Sequence, residues 1–501
     1  MHFNILAVVP PLLTIILAYI TQRMLFSLGS GILCAALVAT HGSFLPAGSL
    51  IVQRGWGVVS DPQTALIFTF FYALGALVSL LTRTGGITAF AHLVTRKVTN
   101  ARGAQTTSLI LSLAFFIDDY LSGMAVGSIM RSLMDRFRVS RVKLGFLVNS
   151  IATPLALLIP FLSWAAFVGH QFEQAGIAHP LWLYWRLIPF FIFPWCMMLS
   201  AWIIVRQSLS FGYMHTLEVQ TAQEPLSTTE IMGGDNSLEK RPHATLFEFL
   251  FPITLLLAQV FTGIVYYGHT HIAYVLCGAT VSTVTISLIA ALWRHTCTVP
   301  EISPLLSDAF ELVYSTLAVL TLAWTFGALL NADVHTGEYL GTVLTSILSP
   351  VYMPVTVFII TTITTFAVGS SWGTYAILIP IVIPLLALLS GNTGSVSAET
   401  IPLLLPTLGA LLAGGTAGNI ISPIADAPIM ASTSAGCSHI ALVKAQLGYT
   451  IPALIGSLCA YSISGFMIQY GFFWCACSML LTGILITTGL LYALNKFYRA
   501  S

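Results

Sequence analysis

Charge is what this chain lacks. Only 7% of its 501 residues are Asp, Glu, Lys or Arg, against about 25% in soluble proteins, so it cannot present a water-facing surface all round. Its 19 Lys and Arg offset 18 Asp and Glu to a net charge of +1, which leaves no basic face for a nucleic-acid partner. Paired cysteines are lacking too. The eight cysteines lie mostly in apolar stretches with no CxxC spacing, so neither a disulfide framework nor a zinc site is indicated, and no HExxH metal motif occurs. What is abundant is apolar sequence, 56% of the chain, with a mean hydropathy of +0.89. These values define a polytopic membrane protein whose first partner is the lipid bilayer. The apolar start, residues 3–20, has no basic n-region before it and is long enough to span, so it is expected to be a transmembrane helix rather than a cleaved signal.

Spans of about 20 apolar residues fall at roughly 4–21, 24–41, 63–82, 144–170 and 182–205, then at 247–267, 272–293, 308–331, 402–436, 448–469 and 473–494. Residues 206–246 between the two sets are polar and form the long hydrophilic segment, expected to be a cytoplasmic linker. Two apolar regions resist assignment to single spans. The stretch 105–130 carries Asp118 and Asp119 at its centre, with Arg83, Arg96, Lys97 and Arg102 before it and Arg131, Arg136, Arg138, Arg141 and Lys143 after it. Basic residues stay on the cytoplasmic side, so a hairpin that enters and returns satisfies both flanks and puts the acids at its tip. With an outside N-terminus, all but Arg54 and Arg186 of the 19 basic residues then lie inside. The second region, 352–390, sits in a gap from Arg294 to Lys444 that holds no other Lys or Arg, and is long enough to enter and return from the opposite face.

The expected fold is therefore an all-α polytopic membrane protein of two inverted repeats, with about 11 transmembrane helices plus two re-entrant hairpins. Residues 1–205 form the first repeat and 247–501 the second, with an extra terminal helix. Each repeat has a polar hairpin tip, Asp118-Asp119-Tyr120 or Ser370-Ser371-Trp372-Gly373-Thr374, followed by a span interrupted by small polar residues and proline, Asn149–Pro154 or Gly418–Pro423. Broken helices from inverted repeats meet at the midplane in secondary transporters, where helix termini and unwound carbonyls hold ions. A channel fits this pattern less well than alternating access.

Three blocks carry a family resemblance: FFIDDYLSGMAVGSIMRSL, GSSWGTYAILIPIVIPL and GNIISPIADAPIMASTSAGCSHI. In order and separation they resemble the signature blocks of NhaC-type sodium/proton antiporters, within a superfamily of ion and organic-anion transporters with paired re-entrant hairpins. The resemblance implies sodium and protons as transported or coupling ions, no cofactor, a possible homodimer, and site positions at Asp118, Asp119, Ser371, Thr374, Ser422 and Asp426. Two departures are visible. Gly418-Asn419 stands where the family usually has Gly-Asp, and Ala427-Pro428 stands where it has Thr-Thr after the later Asp.

The residues themselves support a similar set. Two acids at bilayer depth are costly and therefore functional candidates, though a hairpin cap would also use one. Adjacent acids repel, so one can hold a proton near neutral pH. Asn149 and Asn419 add neutral oxygens suited to sodium, or else satisfy broken backbone, whereas Thr153, Ser371, Thr374 and Ser422 are residue types that more often bond within helices and become site candidates by clustering. Sodium is expected at Asp119, Asn149, Asn419 and Asp426, with Asp118, Thr153, Ser371, Thr374 and Ser422 completing the site; no catalytic residue is assigned. Trp164 and Trp372 could wall a substrate pocket or simply pack, and His439 reads as interfacial. The functional expectation is a Na+/H+ antiporter of a bacterial inner membrane. The alternative is a cation-coupled carrier of a small organic anion or amino acid. A remote alternative is an intramembrane serine hydrolase, because Gly369-Ser370-Ser371-Trp372-Gly373 matches G-x-S-x-G.

Overall fold

The computed structural model describes all residues except 1–4, 22, 97, 117–118, 178, 224–244, 268–271, 345–348, 392–395 and 501. Among the described residues every regular element is a helix. Eleven helices among those residues are long and apolar enough to cross a bilayer, and Ile5–Ala18 and Met24–Ala39 are shorter apolar helices. The chain is an all-α polytopic membrane protein, as its composition dictates.

Helix starts fall where the sequence supplies a side-chain acceptor for an orphan N–H. Asp61 accepts from Thr64 N ahead of Pro62, Asn100 from Gly103 N, Ser370 from Gly373 N and Ser438 from Ala441 N. The innermost element is Leu404–Ile421, buried along its whole length. It is apolar or small all round, without a polar stripe, which in a helix signals burial on every side. Its neighbour Met353–Val368 lies against it backbone to backbone. A Cβ on Gly414 would stand 2.8 Å from Phe358 O, and one on Gly418 would stand 2.5 Å from Thr362 O. Without a hydrophobic drive between helices in lipid, such small-residue contacts are what allow close packing.

The two regions that resisted assignment are both helix pairs. Ala101–Ala114 and Asp119–Arg136 lie side by side, with Ser122 Oγ donating to Ser112 O across the bend at 3.4 Å. Met353–Val368 and Ser371–Leu389 meet at Gly369, whose φ of +74° ends the first helix in a left-handed cap. A Cβ there would also meet Ile424 O at 3.0 Å, so glycine answers both the backbone turn and the close approach. Each limb of this second pair is by itself long and apolar enough to span.

The two proline-bearing spans behave differently. Leu404–Ile421 ends just before Ser422-Pro423, and Asp426–Ala435 starts a new helix. The helix Arg141–Leu158 instead runs through Asn149–Pro154 without a break and stops only at Ile159. Proline inside a helix removes one N–H and frees the carbonyl four residues earlier, here Ser150 O, so the backbone is opened without the helix being lost. The first part of the 206–246 segment is also ordered. Its helix Gly212–Gln223 is held by Phe211, stacked on Tyr449 at 4.2 Å between centroids, and by an ion pair from Glu218 to the buried Lys143. Most of the remaining linker lies outside the described residues.

Candidate cation site

Three elements converge where the first helix pair turns. Asp119 opens its second limb, Asn149 and Thr153 lie one turn apart on Arg141–Leu158, and Ala427 lies in the first turn of Asp426–Ala435, the helix that follows the break after Ile421. Between them is a cavity of about 10 Å³ lined by Asp119, Asn149 and Thr153, with Gly123, Ala152, Ala427, Met430 and Ala431 as walls. That volume suits about one water-sized body. Two packing features close it. Ser434 Oγ donates to Gly123 O at 2.7 Å, and a Cβ on Gly127 would stand 2.0 Å from the same hydroxyl. Glycine is needed where the limb and the post-break helix touch.

Hydrogen bonding orients the site oxygens. Gln446 Nε2 donates to Ile420 O at 2.9 Å, and a carbonyl can only accept, so Gln446 turns Oε1 toward Asn149. Asn149 Nδ2 then donates to that oxygen at 3.2 Å, which leaves Asn149 Oδ1 to accept from Thr153 Oγ1 at 3.2 Å. The Thr153 hydroxyl has spent its proton and keeps acceptor lone pairs. Next to this chain, Asn419 Nδ2 donates to Asp426 Oδ1 at 3.2 Å, and Ala427 N donates to the same oxygen at 2.8 Å. Asp426 thus sits at a helix N-terminus, where the partial positive charge favours the carboxylate. Asn419 is 2% exposed, and its Oδ1 is a buried acceptor with no hydrogen-bond partner among the described residues. A set of carboxylate, amide and hydroxyl oxygens is what a hard cation takes.

The expected site residues therefore divide. Asp119, Asn149 and Thr153 share the cavity, and Asn419 and Asp426 form a bonded pair beside it. Asp118 lies outside the described residues. Ser371, Thr374 and Ser422 are committed to backbone instead: Ser371 Oγ donates to Gly415 O at 3.0 Å, Thr374 Oγ1 to Ser370 O at 2.9 Å and Ser422 Oγ to Phe366 O at 2.7 Å. Trp372 packs on Trp164 at 4.8 Å and on Phe167 at 5.0 Å. Sequence reasoning passed over Gln446, which joins the two halves of the site. It also passed over a polar group beyond the aromatic row: His170, whose ring lies 4.2 Å from that of Trp324, and Gln171, buried with both amide atoms unpartnered among the described residues.

A membrane-embedded bundle with carboxylates at the starts of helices inside it, Asp119 and Asp426, is an arrangement suited to binding cations. Residues 164–466, more than half of the chain, match the model of the Na+/H+ antiporter family, and the chain belongs to that family. It is a secondary transporter. An uncharacterized protein of Haemophilus influenzae is 27% identical over 488 residues, covering 92% of this chain and 91% of the relative. Among solved structures, the YdaH transporter of Alcanivorax borkumensis is similar at a TM-score of 0.46 and 13% identity, over 84% of this chain and 87% of that one. MtrF of Neisseria gonorrhoeae, from a class of antimetabolite efflux pumps, is similar at a TM-score of 0.45 and 15% identity, over 85% of each chain.

Proposed function

We propose that sodium and protons compete for one site built on Asp119 and Asp426, with Asn149, Thr153 and Asn419 supplying neutral oxygens. The observation that carries this reading is the size and lining of the cavity: room for about one water-sized body beside a carboxylate, an amide and a hydroxyl. A bare cation fits such a space and an organic substrate does not. Either cation neutralises carboxylates that are costly to move through lipid while charged. A loaded site can therefore change sides and an empty one is held back, which makes the process an exchange. Re-entry of both helix pairs, inverted repeats, a cytoplasmic linker, a bacterial inner membrane and a homodimer belong to the same proposal. Ser371, engaged with Gly415 O, serves as a helix contact in this reading rather than as a nucleophile.

The deciding experiment uses proteoliposomes with a trapped pH dye and a sodium pulse without organic solute. The expected result is a sodium-dependent change in internal pH, lost in Asp119→Asn and in Asp426→Asn while both variants remain folded in the membrane. A wild-type response that survives in both variants overturns the site. A second reading, coupled carriage of a small polar organic solute, is favoured by one observation, the unpartnered amide of Gln171 beside His170 and Trp324. It predicts no pH response to sodium until amino acids or small carboxylates are added.

A further inference from the structure

The hydrogen bond from Asn149 to Gln446 is one rung of a longer seam between Arg141–Leu158 and His439–Met467. Three residues before Asn149, Phe146 meets Tyr449, which lies three residues after Gln446, with ring centroids 5.2 Å apart. One more step back along the first helix is Lys143, and its partner is not on the second helix but on the linker helix Gly212–Gln223, at Glu218. Rungs three residues apart stand about 4.5 Å apart along a helix axis. The linker also closes the middle rung. Phe211 stacks on the Tyr449 ring at 4.2 Å and gives its N–H to the Tyr449 hydroxyl at 3.0 Å. Both carboxylate oxygens of Glu218 are engaged, Oε1 by Lys143 Nζ and Oε2 by Ser210 Oγ. Lys143 is 3% exposed, and no other Lys or Arg among the described residues is as buried. It sits in the first turn of its helix, the end at which the helix dipole opposes a positive charge. A buried ammonium in that position depends on its counter-ion.

We propose that Glu218 is a positioning residue for the cation site. Through Lys143 it holds the first turn of Arg141–Leu158 at the register where Phe146 meets Tyr449 and Asn149 meets Gln446. The linker helix is then a working part of the site and not only a tether between the two repeats. The inference rests on the proposed role of Asn149 and Thr153 in binding sodium. Glu218 does not line the cavity; it acts along the helix, over the six residues or about 9 Å from Lys143 to Asn149. Without the carboxylate, Lys143 must leave its buried place or stay there uncompensated, and either outcome disturbs the turn on which the next two rungs are built. Asn149 Oδ1, which takes its orientation from the bond to Gln446 and accepts from Thr153, is then presented less firmly to the ion. Sodium binds more weakly as a result.

The test measures KM and kcat for sodium in the same proteoliposomes, for wild type, Glu218→Gln and Phe211→Ala. Phe211→Ala loosens the seam while leaving the charge pair whole, so the comparison stands even where Glu218→Gln folds poorly. Both variants are expected to raise KM by about two- to thirtyfold, the range for residues remote from a ligand, with kcat changed by less than about twofold. A purely structural role would lower the amount of folded protein and leave the KM of the folded fraction as in wild type, and that result overturns the inference. A second measurement needs no transport: thermal midpoints in detergent for each variant, for Gln446→Leu and for the double variants. Rungs of one seam should couple, so each double variant should lose less than the sum of its single losses, whereas additive losses mark independent positions and also overturn the inference. Absence of any sodium response in wild type would defeat the exchange reading, and the thermal comparison would still decide the seam.

Discussion

Gln446 shows what a single uncharged residue contributes at bilayer depth. It satisfies one carbonyl near the end of one helix and the amide of another, so Gln446→Leu orphans both Asn149 Nδ2 and Ile420 O. Each buried orphan costs about 1–3 kcal/mol, and a lower thermal midpoint in detergent than that of wild type is the expected result; an unchanged midpoint would mean that water replaces the amide. Asn419 allows a complementary gain. Asn419→Asp places a second carboxyl 3.2 Å from Asp426 Oδ1, where like charges cannot both stay ionised, so one holds its proton to higher pH. The pH profile of sodium-driven exchange should then move upward, read with the same trapped dye. Asp119 and Asp426 stood out in the sequence as candidates because charge in an apolar run is conspicuous. Gln446 was not, because one amide in a 29-residue helix barely alters its hydropathy, and only the fold reveals that its two partners come from different elements.

At the scale of elements, the close pair Met353–Val368 and Leu404–Ile421 makes the sharpest prediction. Gly418→Ala drives a Cβ to 2.5 Å from Thr362 O and 2.7 Å from Thr365 Cβ, and backbone cannot rotate away, so the helices must part at a cost of about 1–3 kcal/mol. Gly448→Ala is the control: a Cβ there meets nothing within 4 Å, and relief from glycine's backbone entropy adds about 0.5–1 kcal/mol. Thermal unfolding of the two variants should move in opposite directions. A surface tie behaves differently. Glu399 is paired with Arg186, and this hydrogen bond holds its carboxyl below the ordinary glutamate range. A depressed folded value means the stabilisation is present above about pH 4.3, the free glutamate value, and is lost as pH falls through the lower one. Both partners are partly exposed, so the effect is at most about 1 kcal/mol, and Glu399→Gln should remove that acid sensitivity from the melting curve. Both helix pairs could be read from the distribution of basic residues. The unbroken course of Arg141–Leu158 could not, because proline marks a lost N–H equally well whether the helix bends or ends, and packing decides between them.

For the whole molecule, the arrangement of positive charge is the feature that can be tested without any transport assay. In a cysteine-free background, single cysteines placed at 102 and 138 should react with an impermeant thiol reagent from the same side of the membrane, since Ala101–Ala114 and Asp119–Arg136 double back beside one another. Labelling from opposite sides would show that the pair crosses the membrane instead. The class of the protein was plain from composition, because so few charges cannot clothe a soluble surface. The joining of its distant parts was not, because the ties that achieve it, such as Lys143 to Glu218 and Tyr449 to Phe211, link residues whose local sequence announces nothing. The small cavity beside Asp119 adds a property of another kind. A space of about 10 Å³ admits an ion only after its water coat has been stripped, so the fixed oxygens must replace hydration at the spacing the ion demands. If that cavity is the cation site proposed above, its size makes transport sensitive to ionic radius as well as to charge, so lithium, sodium and potassium pulses should differ in the rate they drive.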